Sequence, residues 1–365
     1  MNVLNKADIK SLDFGQLSEV LQEMGQKKFR ATQIYQWLHQ KLITDFDQMT
    51  NVAADLREQL KSKYELNTLE VVQVLTSEID GTSKFLFRLY DGNVVESVLM
   101  KYKHGNSVCI STQVGCRMGC RFCASTLDGL ERNLEVHEML EEVYRIQAIT
   151  GEKVSNIVLM GSGEPLDNYD NVIKFLGMIT DEYGLNISQR NITLSTCGIV
   201  PKIRELAELK LQITLAISLH ASDNETRKGL MPVANKYSIE EILDACRYYF
   251  DMTGRRISFE YSLVAGVNDS REEAIKLAGI LKGINCHVNL IPVNPIKERD
   301  YKQTIKKDVE NFKNYLEKYR INVTIRREMG RDIQGACGQL RKSYYDKEKA
   351  EKILKEKEGE NESIC

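Results

Sequence analysis

The chain has 365 residues, 42% hydrophobic and 28% charged, the make-up of an ordinary soluble globular protein and the length of about two domains. It contains no run of 18 or more apolar residues, which excludes a transmembrane helix, and MNVLNKADIKSLDFG lacks the charged-then-apolar order of a signal peptide, so a cytoplasmic location is expected. A net charge of −2 carries no global basic signature, so any grip on nucleic acid must come from local patches.

Residues 1–68 read as a helical accessory domain. Leu12, Leu17, Val20, Leu21 and Met24 recur at helical spacing, as do Ile34, Trp37, Leu38 and Leu42, and Leu56 and Leu60 mark a further short helix. Between the first two runs lies the basic loop Lys27-Lys28-Phe29-Arg30. From 69 to 101 the period switches to two: Val71–Leu75, Lys84–Leu89 and Val94–Met100, separated by Asp80-Gly81 and Asp91-Gly92-Asn93, predict a β-hairpin extension. From 102 to 340 strands and helices alternate. Strands are expected at 107–113, 154–160, 190–196, 211–219, 256–264 and 286–292, with a last one at 321–327. Helices are expected at 135–149, 168–183, 200–209, 238–252, 270–282 and 304–319. Strands such as Ile157–Met160 and Ile213–Ile217 are continuously apolar, as in a parallel sheet covered by helices. Six βα units are too few for a closed eight-fold barrel, so the reading is α/β, a partial (β/α)6 barrel. The tail, 341–365, is Lys/Glu-rich and reads as a frayed helix or disorder.

Cys116, Cys120 and Cys123 stand at C-x3-C-x2-C spacing in Gly115-Cys116-Arg117-Met118-Gly119-Cys120-Arg121-Phe122-Cys123. Three thiolates in so short a loop suit a soft metal centre. A structural zinc site would want a fourth protein ligand; an iron–sulfur cluster held by three leaves one iron open. The other strand ends carry chemistry as well, where ligands gather in parallel α/β folds. They are Gly161-Ser162-Gly163-Glu164-Pro165, Ser195-Thr196-Cys197-Gly198, Ser218-Leu219-His220-Ala221 and Pro292-Val293-Asn294-Pro295. Singly, each is as readily a turn or a helix cap. Two glycines at a strand end admit a ligand close to the backbone, and Glu164 offers a carboxylate to an ammonium. Cys109 lies in the first barrel strand and Cys337 in a glycine-rich loop after the last; the remaining cysteines read as structural or incidental, with no role assigned to Cys197.

In order along nearly the whole chain, these motifs, with Ser111-Thr112-Gln113-Val114-Gly115-Cys116, Val288-Asn289-Leu290-Ile291-Pro292 and Ala336-Cys337-Gly338-Gln339-Leu340, resemble the RlmN/Cfr family of radical S-adenosylmethionine (SAM) RNA methyltransferases. The resemblance implies a radical SAM barrel carrying one 4Fe–4S cluster on Cys116, Cys120 and Cys123, and SAM as cofactor. Gly163, Glu164, Ser195, Ser218, Leu219, His220 and Asn294 match SAM contacts. Cys337 matches the cysteine that is first methylated, Cys109 the one that resolves a covalent protein–RNA link by a transient disulfide with Cys337, and Glu96 the proton acceptor. The implied substrate is an adenosine of large-subunit ribosomal RNA at the peptidyl-transferase centre, taken before the ribosome is fully assembled, with transfer RNA as a further substrate in some members. A flavodoxin or ferredoxin would supply electrons, and the chain would act as a monomer. Val114-Gly115-Cys116 and Pro165 match the members that methylate adenine C2; the alternative is the Cfr-like C8 reaction, and from another class a zinc-bound RNA-binding protein without catalysis. Ser162 stands where the family usually has methionine, a mild departure. Lys27-Lys28-Phe29-Arg30, Lys101-Tyr102-Lys103-His104 and Arg326-Arg327 are candidate phosphate contacts, with Phe29 and Tyr102 able to stack on a base.

Overall fold

The computed structural model describes residues 6–103, 105–296, 298–333 and 339–346. Three helices open the chain: α1 (Phe14–Glu23), α2 (Phe29–His39) and α3 (Ala54–Lys63). Asp13 starts α1 with a capping box, its side chain accepting from Gln16 N–H while the Gln16 side chain reaches back. Strands β1 (Glu70–Thr76), β2 (Ser83–Arg88) and β3 (Val94–Tyr102) follow, then β4 (Gly105–Ile110), β5 (Gln113–Gly115) and β6 (Leu130–Asn133). The alternating part comprises α4 (Val136–Thr150), β7 (Val154–Leu159), α5 (Tyr169–Ile179), β8 (Ile192–Thr196), α6 (Val200–Glu208), β9 (Thr214–Ser218), α7 (Asn224–Leu230), α8 (Ile239–Thr253), β10 (Ile257–Leu263), α9 (Arg271–Ile280), β11 (Cys286–Pro292), α10 (Lys306–Lys318) and β12 (Asn322–Ile325). Residues 339–346 are helical.

One ten-stranded sheet runs β1-β2-β3-β4-β7-β8-β9-β10-β11-β12. Every pairing from β4 to β12 is parallel, and β1 to β4 pair antiparallel. The hairpin strands therefore extend the barrel sheet itself, through β3 on β4. The sheet ends at β1 and β12 without joining, an open partial barrel. The expected first strand, 107–113, leaves the sheet after Ile110. Thr112 and Gln113 N–H turn to Ser162 O (2.8 and 3.1 Å), and Gln113 starts the separate two-stranded sheet with β6. Helix α7 lies where the sequence carried no helical expectation. Its seven residues are too few to show a period, and the Asp223 cap that starts it is a short-range signal.

The accessory helices share one apolar cluster with the barrel, running from Leu17 and Ile34 through Met139 and Val143 to the strands. Polar contacts tie the N-terminal region to α4, among them Lys10 Nζ to Glu141 Oε1 at 2.5 Å, and His39 Nδ1 to Tyr144 Oη at 2.9 Å. At the other end, Leu340, Tyr344 and Tyr345 pack on Leu86 and Val94 of the hairpin strands, so 341–346 form an ordered helical turn; 347–365 lie outside the described residues.

Candidate active site

The cysteine loop leaves β5 at Gly115, in the left-handed region (φ 78°), where a Cβ would run into Gly129 O. Cys116 N–H donates to Gly129 O (2.8 Å), Arg121 N–H to Leu230 O (2.9 Å), and Thr126 Oγ1 to the Cys120 and Cys123 carbonyls (3.0 Å each). Those bonds hold the loop so that Cys116, Cys120 and Cys123 line one cavity of about 210 Å³ at the carboxyl ends of the strands. Burial, and then the neighbouring Cys123 and Glu164, push the Cys116 thiol up to about 12. Burial followed by Cys123 and Cys116 raises Cys120 well above the ordinary range. Three thiolates here repel one another in a dry site and need positive charge supplied to them, as a metal centre does when it displaces thiol protons. Three thiols in one short loop suit a cluster that leaves one iron open better than a structural zinc site, which takes four protein ligands.

The strand ends form the opposite wall. Gly163, Glu164, Ser195, Ser218 and His220 all line this cavity. Glu164 is 4% exposed; its carboxylate accepts from Cys197 N–H (2.7 Å) and Leu166 N–H (3.0 Å), and burial raises its pKa against these bonds. His220 sits at φ 58° with Nδ1 accepting from Ser262 N–H (2.9 Å). Burial, then the Arg227 charge, lower its pKa to about 3, so the ring is neutral and its proton is on Nε2. The glycines serve the chain's own packing: a Cβ on Gly161 would come within 2.5 Å of Ile110 O, and one on Gly163 (φ 108°) within 2.7 Å of Gln113 N. Leu219 is fully buried in the core, and its N–H donates to Glu260 O (3.1 Å).

A second cavity, of about 360 Å³, adjoins the first and shares Ile291 and Arg326 with it. Cys109 and Asn294 line this one, with Val98, Met100 and Gln339; Asn294 is thus apart from the other expected SAM contacts. Cys109 is opposite Val98 in the β3–β4 register, and Glu96 shares the Val98 face two residues away, about 7 Å along the strand. Glu96 is 4% exposed, its Oε2 2.8 Å from Lys84 Nζ, and its Oε1 accepts from Arg341 N–H. Cys337 and His104 lie outside the described residues.

Lys84, Arg227 and Glu260, in or beside these cavities, escaped the sequence reading, which places Arg326 only among the candidate phosphate contacts. Arg227, on the unexpected α7, is wholly buried. Polar residues on buried strand faces are the only signal for Lys84 and for Glu260, which lines the cysteine cavity. Among the basic patches, Phe29 is 55% exposed with the Arg30 guanidinium 4.8 Å from its ring centroid. No helix among the described residues is long and apolar enough to cross a membrane.

An open parallel barrel with a three-cysteine loop at its strand ends is the radical SAM class, and the family profile described as the Radical SAM superfamily matches residues 110–278. The profile of the ribosomal RNA large subunit methyltransferase N-terminal domain matches residues 7–66. A protein of Lachnospira eligens described as a probable dual-specificity RNA methyltransferase RlmN is 68% identical over 93% of this chain and 97% of its own length. One of the same description from Clostridium novyi is 59% identical over 92% of this chain and 98% of its own. The crystal structure of a radical SAM methyltransferase from Sphaerobacter thermophilus superposes with a TM-score of 0.87 at 40% identity, covering 91% of this chain and 98% of that one. The chain belongs to the RlmN family of radical SAM RNA methyltransferases.

Proposed function

We propose that this protein methylates C2 of an adenosine in large-subunit ribosomal RNA at the peptidyl-transferase centre, and of an adenosine in transfer RNA. The route runs through an S-methylcysteine at Cys337 and a covalent protein–RNA intermediate. The observation that carries the reading is the wall shared at Ile291 and Arg326 between the cavity of Cys116, Cys120 and Cys123 and the cavity of Cys109.

Cys116, Cys120 and Cys123 would hold a 4Fe–4S cluster, which with SAM supplies one-electron cleavage of a sulfonium C–S bond and so a carbon radical. The other tasks fall to the chain. Glu164 is the carboxylate available to the SAM ammonium. Ser195, Ser218 and the Nε2–H of His220 offer hydrogen bonds, the backbone at Gly163 and Leu219 shapes the cradle, and Asn294 reaches in from the neighbouring cavity. Adenine C2 is not nucleophilic, so a direct polar methyl transfer fails, and a cysteine must first carry the methyl group as a thioether. Cys337 takes that part; Gln339, two positions on, lines the cavity of Cys109. Glu96 accepts the proton from the substrate carbon, with the Lys84 ammonium beside it. The Cys109 thiolate then attacks Cys337 Sγ, the bond from sulfur to the transferred carbon breaks, and the carbon keeps the electron pair and takes a proton. Lys27, Lys28, Arg30, Lys101, Lys103, Arg326 and Arg327 contact RNA phosphates. The protein works as a monomer in the cytoplasm, on RNA not yet fully assembled into ribosomes, with a flavodoxin- or ferredoxin-type donor.

Nucleoside mass analysis after anaerobic reaction with ribosomal RNA and transfer RNA transcripts tests this. The expected product from both is 2-methyladenosine. Appearance of 8-methyladenosine transfers the reading to C8, and absence of any methylated adenosine overturns it.

A further inference from the structure

Arg227 heads the fully buried side chains by volume among the described residues. It rises from α7 behind the cysteine cavity, and its guanidinium donates to four carbonyl oxygens. Nε reaches Leu219 O (3.1 Å), Nη2 reaches Cys197 O (2.7 Å) and Ser218 O (3.3 Å), and Nη1 reaches Tyr237 O (3.4 Å). All four acceptors are neutral. The ionisable groups that act on it are the thiols of Cys197 and Cys120, and its own field bears on Cys120 and His220. Arginine keeps its proton in proteins, so this is a permanent cation taken out of water with no carboxylate partner among the described residues. Burying such a charge costs several kcal/mol unless an opposite charge is close by. The cysteine cavity has the opposite deficit: a cluster core bears less positive charge than its three thiolates bear negative, and less again once reduced. One site lacks an anion and its neighbour is one.

We propose that Arg227 is the fixed counter-charge of the centre bound by Cys116, Cys120 and Cys123, a positioning residue that raises its reduction potential. This rests on reading those cysteines as cluster ligands. A nearby cation stabilises the reduced, more negative state more than the oxidised one, and dry surroundings leave its field unscreened. The same guanidinium gathers the carbonyls at the ends of β8 and β9, so the charge is held at a set distance from the SAM cradle.

The test is potentiometric titration of the anaerobically reconstituted full chain without SAM, followed by the EPR signal of the reduced cluster. Wild type is compared with Arg227→Lys, Arg227→Met and Arg227→Gln, the last retaining a donor for the Cys197 carbonyl. Iron and sulfide per chain are measured in each. The neutral variants should lower the midpoint by at least 59 mV, the one-electron equivalent of a tenfold shift, and Lys should restore most of it. A midpoint unchanged in any loaded neutral variant, or as low in Lys as in Gln, overturns the proposal and leaves Arg227 a hydrogen-bond clamp. Wild type that takes up no acid-labile sulfide overturns the cluster reading itself, and this one with it.

Discussion

Glu96 and Lys84 lie on adjacent strands, 4% and 0% exposed, with 2.8 Å between carboxylate and ammonium. Deleting one member of a buried pair strands the other charge, so Lys84→Met should cost about 3–5 kcal/mol in urea unfolding, and adding Glu96→Gln should recover much of that loss. Glu96→Gln alone keeps the shape and removes the proposed proton acceptor. It should fold and load iron but stall before product, and unchanged turnover would remove Glu96 from the chemistry. Here a motif match singled out a residue whose alternation alone reads as a plain strand carboxylate; its buried cation belongs to another strand, and no motif marks it. The glycines illustrate the converse. Gly161 and Gly163 are legible as special for ligand approach, and both line the cavity; what the sequence does not show is that their Cβ positions are also taken by the chain itself, by Ile110 at the end of β4 and by Gln113 of β5.

At the scale of elements, the accessory helices dock on α4 through buried polar groups as well as apolar ones. His39 closes that interface, and burial, then the Lys10 charge, lower its pKa from 6.5 to about 3. Between those values the unfolded chain binds a proton that the folded chain refuses, so stability rises with pH across the window. At 1.36 kcal/mol per unit, acidification to pH 5 should cost wild type about 2 kcal/mol more than His39→Phe, read from urea midpoints at pH 7 and pH 5. Equal losses would mean that His39 titrates normally. Helix positions in the barrel were legible because apolar period and caps such as Ser238 with Glu241 are local. That β3 joins β4, making the hairpins part of the barrel sheet, was not, because strand pairing between neighbours in sequence can be made or omitted at similar local cost.

For the molecule as a whole, two cavities with a common wall set the three-cysteine loop apart from Cys109, the arrangement that the proposed route uses. Cys109→Ala should therefore load the cluster and accumulate a protein–RNA crosslink visible as a shifted band on denaturing gels; product without crosslink would remove Cys109 as the resolving thiol. The sequence by itself determined the alternation of strands and helices, the three-cysteine loop and the order of polar strand ends, because each is written in contiguous residues and the open α/β barrel gathers strand ends on one rim. Tertiary structure alone decided that Asn294 lines the Cys109 cavity, that Lys84 meets Glu96, and that Arg227 lies behind the cysteines with no carboxylate partner among the described residues. Burial and charge pairing join residues distant in sequence, and a local pattern carries no record of which side chains meet once water is gone.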